Sequence, residues 1–129
     1  MNKILVEVSV GELLDKISIL EIKKDRIKDS EKLSFINDEY QVLKSELDEN
    51  IKMDVTLEKF FVALKNVNSK LWIIEDDKRK CEKNSNFGEE FIRLSRDIHF
   101  LNDARAKIKL DINNHTGSKI KEIKEYTSY

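Results

Sequence analysis

The chain has 129 residues, enough for one self-sufficient domain and too few for two of ordinary size. Hydrophobic residues make up 40% and charged ones 38%, with no proline and only 3 glycines, which favours long uninterrupted helices over a turn-rich sheet protein. The 24 basic and 25 acidic side chains are interspersed and leave a formal net charge of -1, so no overall field draws nucleic acid polymers or membranes, and any anion site has to be local.

Cys81 stands alone, which excludes an intramolecular disulfide and a cysteine-based zinc cluster and suits a reducing compartment. No export-type apolar core follows Met1, and no apolar run approaches the roughly 18 residues of a membrane span. The expected setting is the cytoplasm.

Residues 1–8 include the short run Lys3-Ile4-Leu5-Val6-Glu7-Val8, rich in β-branched residues, which reads as a strand or an extended arm. Ser9 and Glu12 then have capping-box spacing, flanked by Val8 and Leu13 as a hydrophobic staple, so a helix is predicted over 10–28. Leu13, Ile17, Leu20 and Ile27 form one stripe of it, while Ile19 and Ile22 face elsewhere. A helix apolar on two sides is packed on both, so it is either central or buried between copies.

Asp29 and Ser30 can cap a second helix, 31–49, in which Leu33, Ile36, Tyr40, Leu43 and Leu47 repeat at heptad spacing. Asp54 is a plausible N-cap for a third helix, 55–83. Its ladder of Leu57, Phe60, Leu64, Val67, Leu71 and Ile74 continues into Glu75, Lys78, Arg79 and Glu82, so the seam turns polar near its end. A fourth helix, 89–114, carries Phe91, Leu94, Ile98, Leu101, Ile108 and Ile112, and Gly117 marks its end. The tail, 118–129, repeats Ile120, Ile123 and Tyr126 every three residues and suits a strap packed on the bundle. The expected fold is mainly α: a single-domain, four-helix antiparallel bundle with an N-terminal strand or arm and an extended C-terminal strap.

A second polar breach lies in the fourth helix, where Asn102, Arg105, Lys109 and Asn113 stand on or beside the apolar stripe. Buried cations need anionic partners, because an uncompensated charge costs several kcal/mol. Glu75, Asp76 and Glu82 could supply them in an interhelical salt-bridge network, or the breach could be a ligand pocket. On the second reading Arg79, Arg105, Lys109 and Lys24 keep charge for a phosphate or carboxylate, and Trp72, close to Glu75, stacks on a base or sugar. Trp72 packed at the bundle edge is the plainer alternative. Ser118, just after Gly117, offers a hydroxyl and backbone N–H groups to an anion. Metal chemistry has weak support, since the paired Glu-x-x-His of di-iron bundles is absent. Cys81 has no second thiol or obvious base and is a bystander. His99 follows Arg93 at a spacing used by some helical ribonucleases, for which a solvated histidine is the plainer reading, and His115 reads as a loop residue.

The segments Val8 to Ile17, Ile19 to Lys23, Leu71 to Asp76, Asn102 to Ala106, Gly117-Ser118 and Glu122 to Tyr126 resemble a small uncharacterised family of bacteria and marine phages, sometimes encoded near surface-polysaccharide genes. The resemblance spans nearly the whole chain and brings no activity with it. Its recurrent polar words fall on Lys16, Glu21, Lys23, Glu75, Asp76, Asn102, Asp103, Arg105, Ser118 and Lys124. It implies shared architecture and points to these positions by analogy.

The first functional expectation is a non-enzymatic binding protein, assembled as a homo-oligomer, that captures a nucleotide or phosphorylated sugar without a cofactor. Its ligand-binding residues would be Lys16, Lys24, Trp72, Glu75, Arg79, Asn102, Arg105, Lys109 and Ser118. A phage origin would sharpen this to sequestration of a host nucleotide signal. The alternatives are a self-assembling structural or adaptor protein and a carboxylate-dependent metal hydrolase or transferase, which needs at least three converging carboxylates.

Overall fold

A computed structural model describes residues 2–120, 123–125 and 127–128. It is a helical bundle of α1 (Val10–Arg26), α2 (Ser30–Asn50), α3 (Val55–Lys83) and α4 (Glu89–Thr116), with no strand among the described residues. Residues 2–8 run as an exposed arm rather than a strand, for no neighbouring strand pairs with them; Ile4 and Leu5 are 85% and 84% exposed. Beyond Gly117 the described residues are not helical. Tyr126, part of the expected strap, lies outside the described residues.

Local chemistry sets the ends of each helix. Ser9 Oγ accepts from the Glu12 N–H at 3.0 Å, Asp29 Oδ1 from Lys32 at 2.9 Å and Asp54 Oδ1 from Leu57 at 2.7 Å, each satisfying an amide that the helix itself cannot. The Leu57 N–H, and then the His115 ring 2.8 Å from Oδ2, hold the Asp54 carboxyl below its usual range. α1 stops at Arg26, short of the expected 28, because Ile27 is extended and Asp29 already serves the next helix. α4 runs on to Thr116, where Gly117 turns left-handed at φ 68° and gives its N–H to Asn113 O.

α1 is the hub. It packs against each of the other helices, whereas α2 has no backbone contact with α3 or α4. The core joins Leu14 and Ile17 of α1 to Leu47 of α2, Leu57 and Leu64 of α3 and Ile112 of α4. This explains the doubly apolar α1: both of its faces are covered within one chain. It also explains why, along the heptad seam of α2, only Leu47 is fully buried. The part of the α3–α4 hairpin nearest its connecting loop, 84–88, carries Leu71, Cys81 and Leu94 as its buried apolar residues.

α1 meets α4 at close range. A methyl group built on Gly11 would lie 2.6 Å from the Lys109 carbonyl oxygen and 3.0 Å from Asn113 Oδ1. The Gly11 N–H also donates to that Oδ1 at 2.8 Å, and Asn113 is 2% exposed. The first obstruction is helix backbone, so nothing short of moving α1 can relieve it. Gly11→Ala is therefore expected to lose about 1–3 kcal/mol of stability despite alanine's better helix propensity. Thermal or urea unfolding checks this, and an unchanged or raised midpoint would refute the close-packing account.

Candidate functional site

The polar interior is built around Asn68, which sits between Leu64 and Leu71 of α3 and is 5% exposed. Its Nδ2 donates to Asp15 Oδ1 and to Ser18 Oγ, both at 2.8 Å. Its Oδ1 accepts from Arg105 Nη1 at 3.3 Å. The partners fix the amide's orientation, since a guanidinium can only donate and a carboxylate can only accept. Arg105 Nη2 donates to Asn102 Oδ1 at 2.8 Å, and Ser18 Oγ donates to the Asp15 carbonyl at 2.7 Å. One carboxamide thus stands between a buried carboxylate and a guanidinium.

One turn along α4, Lys109 Nζ donates to Glu12 Oε2 at 2.7 Å, with 12% of the lysine side chain exposed. Glu12 is at the N3 position of the capping box, yet its carboxylate is also drawn to α4. Glu12 and Asp15 from α1, Asn102, Asp103, Arg105, Ala106 and Lys109 from α4, and Lys124 of the tail line a cavity of about 380 Å³. That volume is within the range of small-ligand sites.

Of the residues singled out from sequence, Asn102, Arg105 and Lys109 meet in this cavity, together with Asp103 and Lys124 to which the family resemblance pointed. Lys16 is at its margin, half-exposed and 3.9 Å from Glu12 Oε1. Glu75 and Arg79 are exposed and line a separate groove of about 560 Å³ with Lys78, Glu82, Phe91 and Ile98. Neither of them pairs with Arg105, whose partners are amides. Trp72 is half-buried and borders neither space. Lys24 lies over the Tyr40 ring, 4.0 Å from its centre. Burial, followed by the charge of Glu21, raises the Tyr40 phenol above its ordinary range. Ser118 Oγ accepts the Val10 N–H at 3.4 Å and donates to the Ile120 carbonyl at 2.9 Å, so it secures the start of α1.

Sequence reasoning missed Asp15, Ser18 and Asn68. Asp15 and Ser18 stand one helical turn apart beside the stripe of Leu14 and Ile17, and Asn68 is spaced 4 from Leu64 and 3 from Leu71. Polar residues at core spacing on two helices were the available signal.

Among the described residues, no group of three His, Cys, Asp or Glu side chains is placed to hold a metal ion. Cys81 is buried, and burial, then the charges of Glu90 and Asp77, push its thiol up, away from the nucleophilic thiolate. No helix among the described residues is long and apolar enough to cross a membrane.

Asn68→Ala would leave the Asp15 carboxylate without its side-chain partner and Arg105 held by Asn102 alone. The expected loss is about 1–3 kcal/mol, the cost of an unpaired buried polar group. Denaturant unfolding measures it; a variant as stable as the parent would show that the amide is not needed to hold the network together.

Comparison with curated proteins and with solved structures finds no match for the chain. A family model does match, over residues 4–129. The chain belongs to DUF6165, a family of unknown function.

Proposed function

We propose that the protein is a non-catalytic binding protein that captures a small anionic ligand, such as a nucleotide or sugar phosphate, in the cavity between α1 and α4. One observation carries this reading: among the described residues the guanidinium of Arg105 is held by two neutral amide oxygens and by no carboxylate. Its charge is oriented but not neutralised, and the rest of its planar fork of donors remains available to a phosphate or carboxylate. Lys109, paired with Glu12, and Lys124 belong to the same lining, and Asn102 fixes the direction of the fork. A lone buried thiol suits the reducing cytoplasm as its setting.

Thermal melting against nucleotides, sugar phosphates and divalent ions tests the reading. A ligand at about 100 times its dissociation constant adds about 2.7 kcal/mol to stability. Arg105→Ala is expected to weaken binding by about tenfold to a hundredfold, the worth of a charge-assisted hydrogen bond. Stabilisation by an anion that survives this substitution would move the site elsewhere. A shift with divalent ions alone would favour metal-dependent chemistry instead.

A second observation favours self-assembly. The outer face of α4 presents Ile92 and Phe100, 55% and 42% exposed, beside Glu89, Arg93, Arg96 and Asp97. Two copies of α4 crossing antiparallel between positions 96 and 97 would set Arg96 opposite Asp97 and Arg93 opposite Phe100, twice over by symmetry. The pairing neutralises the charges and adds cation–π contacts. Sedimentation should then show a dimer that Asp97→Arg dissociates; a monomer at every concentration, or a dimer indifferent to the change, would exclude this interface.

A further inference from the structure

The α1 wall of the cavity carries chemistry that an anion alone does not use. Asp15 is 5% exposed, and among the described residues its side chain has one hydrogen bond, from Asn68 Nδ2 to Oδ1. Among the described residues no fully buried side-chain oxygen or nitrogen lacks a partner, so Oδ2, which bonds to none of them, keeps access to open space, and Asp15 lines the cavity. A nearly buried carboxylate that lines a ligand-sized space with one oxygen unmatched is an acceptor for a donor that the described residues do not supply.

We propose that the ligand is zwitterionic, with a cationic amine received by Asp15 Oδ2 and a phosphate or carboxylate held by Arg105. The proposal rests on the assignment of the cavity to an anionic ligand and adds the second group. The charge of the lining supports it. Among the described residues, Glu12, Asp15 and Asp103 stand against Arg105, Lys109 and Lys124, so this lining is balanced rather than positive. A polyanion would meet the carboxylates at a cost, whereas a molecule with both signs meets a complement to each. The spacing supports it too. Asp15 and Arg105 bond to opposite ends of one carboxamide, so the two binding groups are set apart by roughly the width of an amide and its hydrogen bonds. An amine a few bonds from an acidic group, as in amino-sugar phosphates and phosphorylated amino alcohols, spans such a gap.

Titration calorimetry with matched probes tests the proposal: glucosamine 6-phosphate against glucose 6-phosphate, and phosphoethanolamine against ethyl phosphate. The amine-bearing member of a pair is expected to bind about tenfold tighter, as one charge-assisted hydrogen bond provides. Asp15→Asn, which can still accept from Asn68, should erase that preference while leaving the amine-free phosphate bound. Arg105→Ala should weaken both members of a pair. Equal affinities within each pair, still dependent on Arg105, would overturn the amine site and leave the anion site standing. A preference that persists in Asp15→Asn would also overturn it. No binding of any of the four probes would overturn both readings. The comparison within each pair on the unaltered protein stands even if a variant fails to fold.

Discussion

The contact of Gly11 with the backbone of α4 is the constraint on which the rest of the molecule depends. Because the Lys109 carbonyl lies where a side chain at position 11 would begin, α1 can descend onto α4 until its own N–H reaches Asn113. That approach brings Glu12 within reach of Lys109 and places Asp15 and Ser18 against Asn68. A larger residue at 11 would hold α1 off, and the polar groups beyond it would lose register together. Helix spacing here is fixed by an absent side chain, and the cavity is the space left beside it.

The network also shows how a charged interior is tolerated. Burying a carboxylate and a guanidinium in direct contact would satisfy both and leave nothing for a ligand. Interposing Asn68 satisfies part of each group with a neutral, oriented dipole and keeps the charges apart. At the other side of α1, Glu21 is treated differently: it accepts from Lys65 at 2.9 Å and lies 3.5 Å from the Tyr40 hydroxyl, a closed arrangement with its charge met directly. One acidic residue of α1 is thus held as structure and another is held half-open.

The helices were legible because their boundaries are decided locally. Ser9, Asp54 and Gly117 act on amides and carbonyls within a turn of themselves, and no distant contact is needed to read them. The site was legible only in part. Arg105 stands in an apolar slot of its own helix and so announced itself. Asn68 did not, because Val67 and Asn68 flank the same ladder about 100° apart, and hydrophobicity alone favours the valine. The structure buries Asn68 and leaves Val67 half-covered, because α1 lies over that side of α3. Where a third helix rests is a property of the whole chain. For the same reason the polar run from Glu75 to Glu82, conspicuous in sequence, belongs to the part of the hairpin near its loop, with its own groove apart from Arg105.

Among the helices the backbone of α2 approaches only α1, which gives the molecule an order of opening. Since no backbone contact joins α2 to α3 or α4, its first turns, where Leu33 and Ile36 are only half-covered and Phe35 is exposed, can fray without disturbing the α1–α4 contact. α1 has no such freedom, for it carries the core and both polar networks. Amide protons early in α2 are therefore expected to exchange with solvent well before those of α1, and equal protection along the two helices would contradict this. The start of the second helix would then act as an outrigger, free to lift while Leu47 at its far end stays in the core.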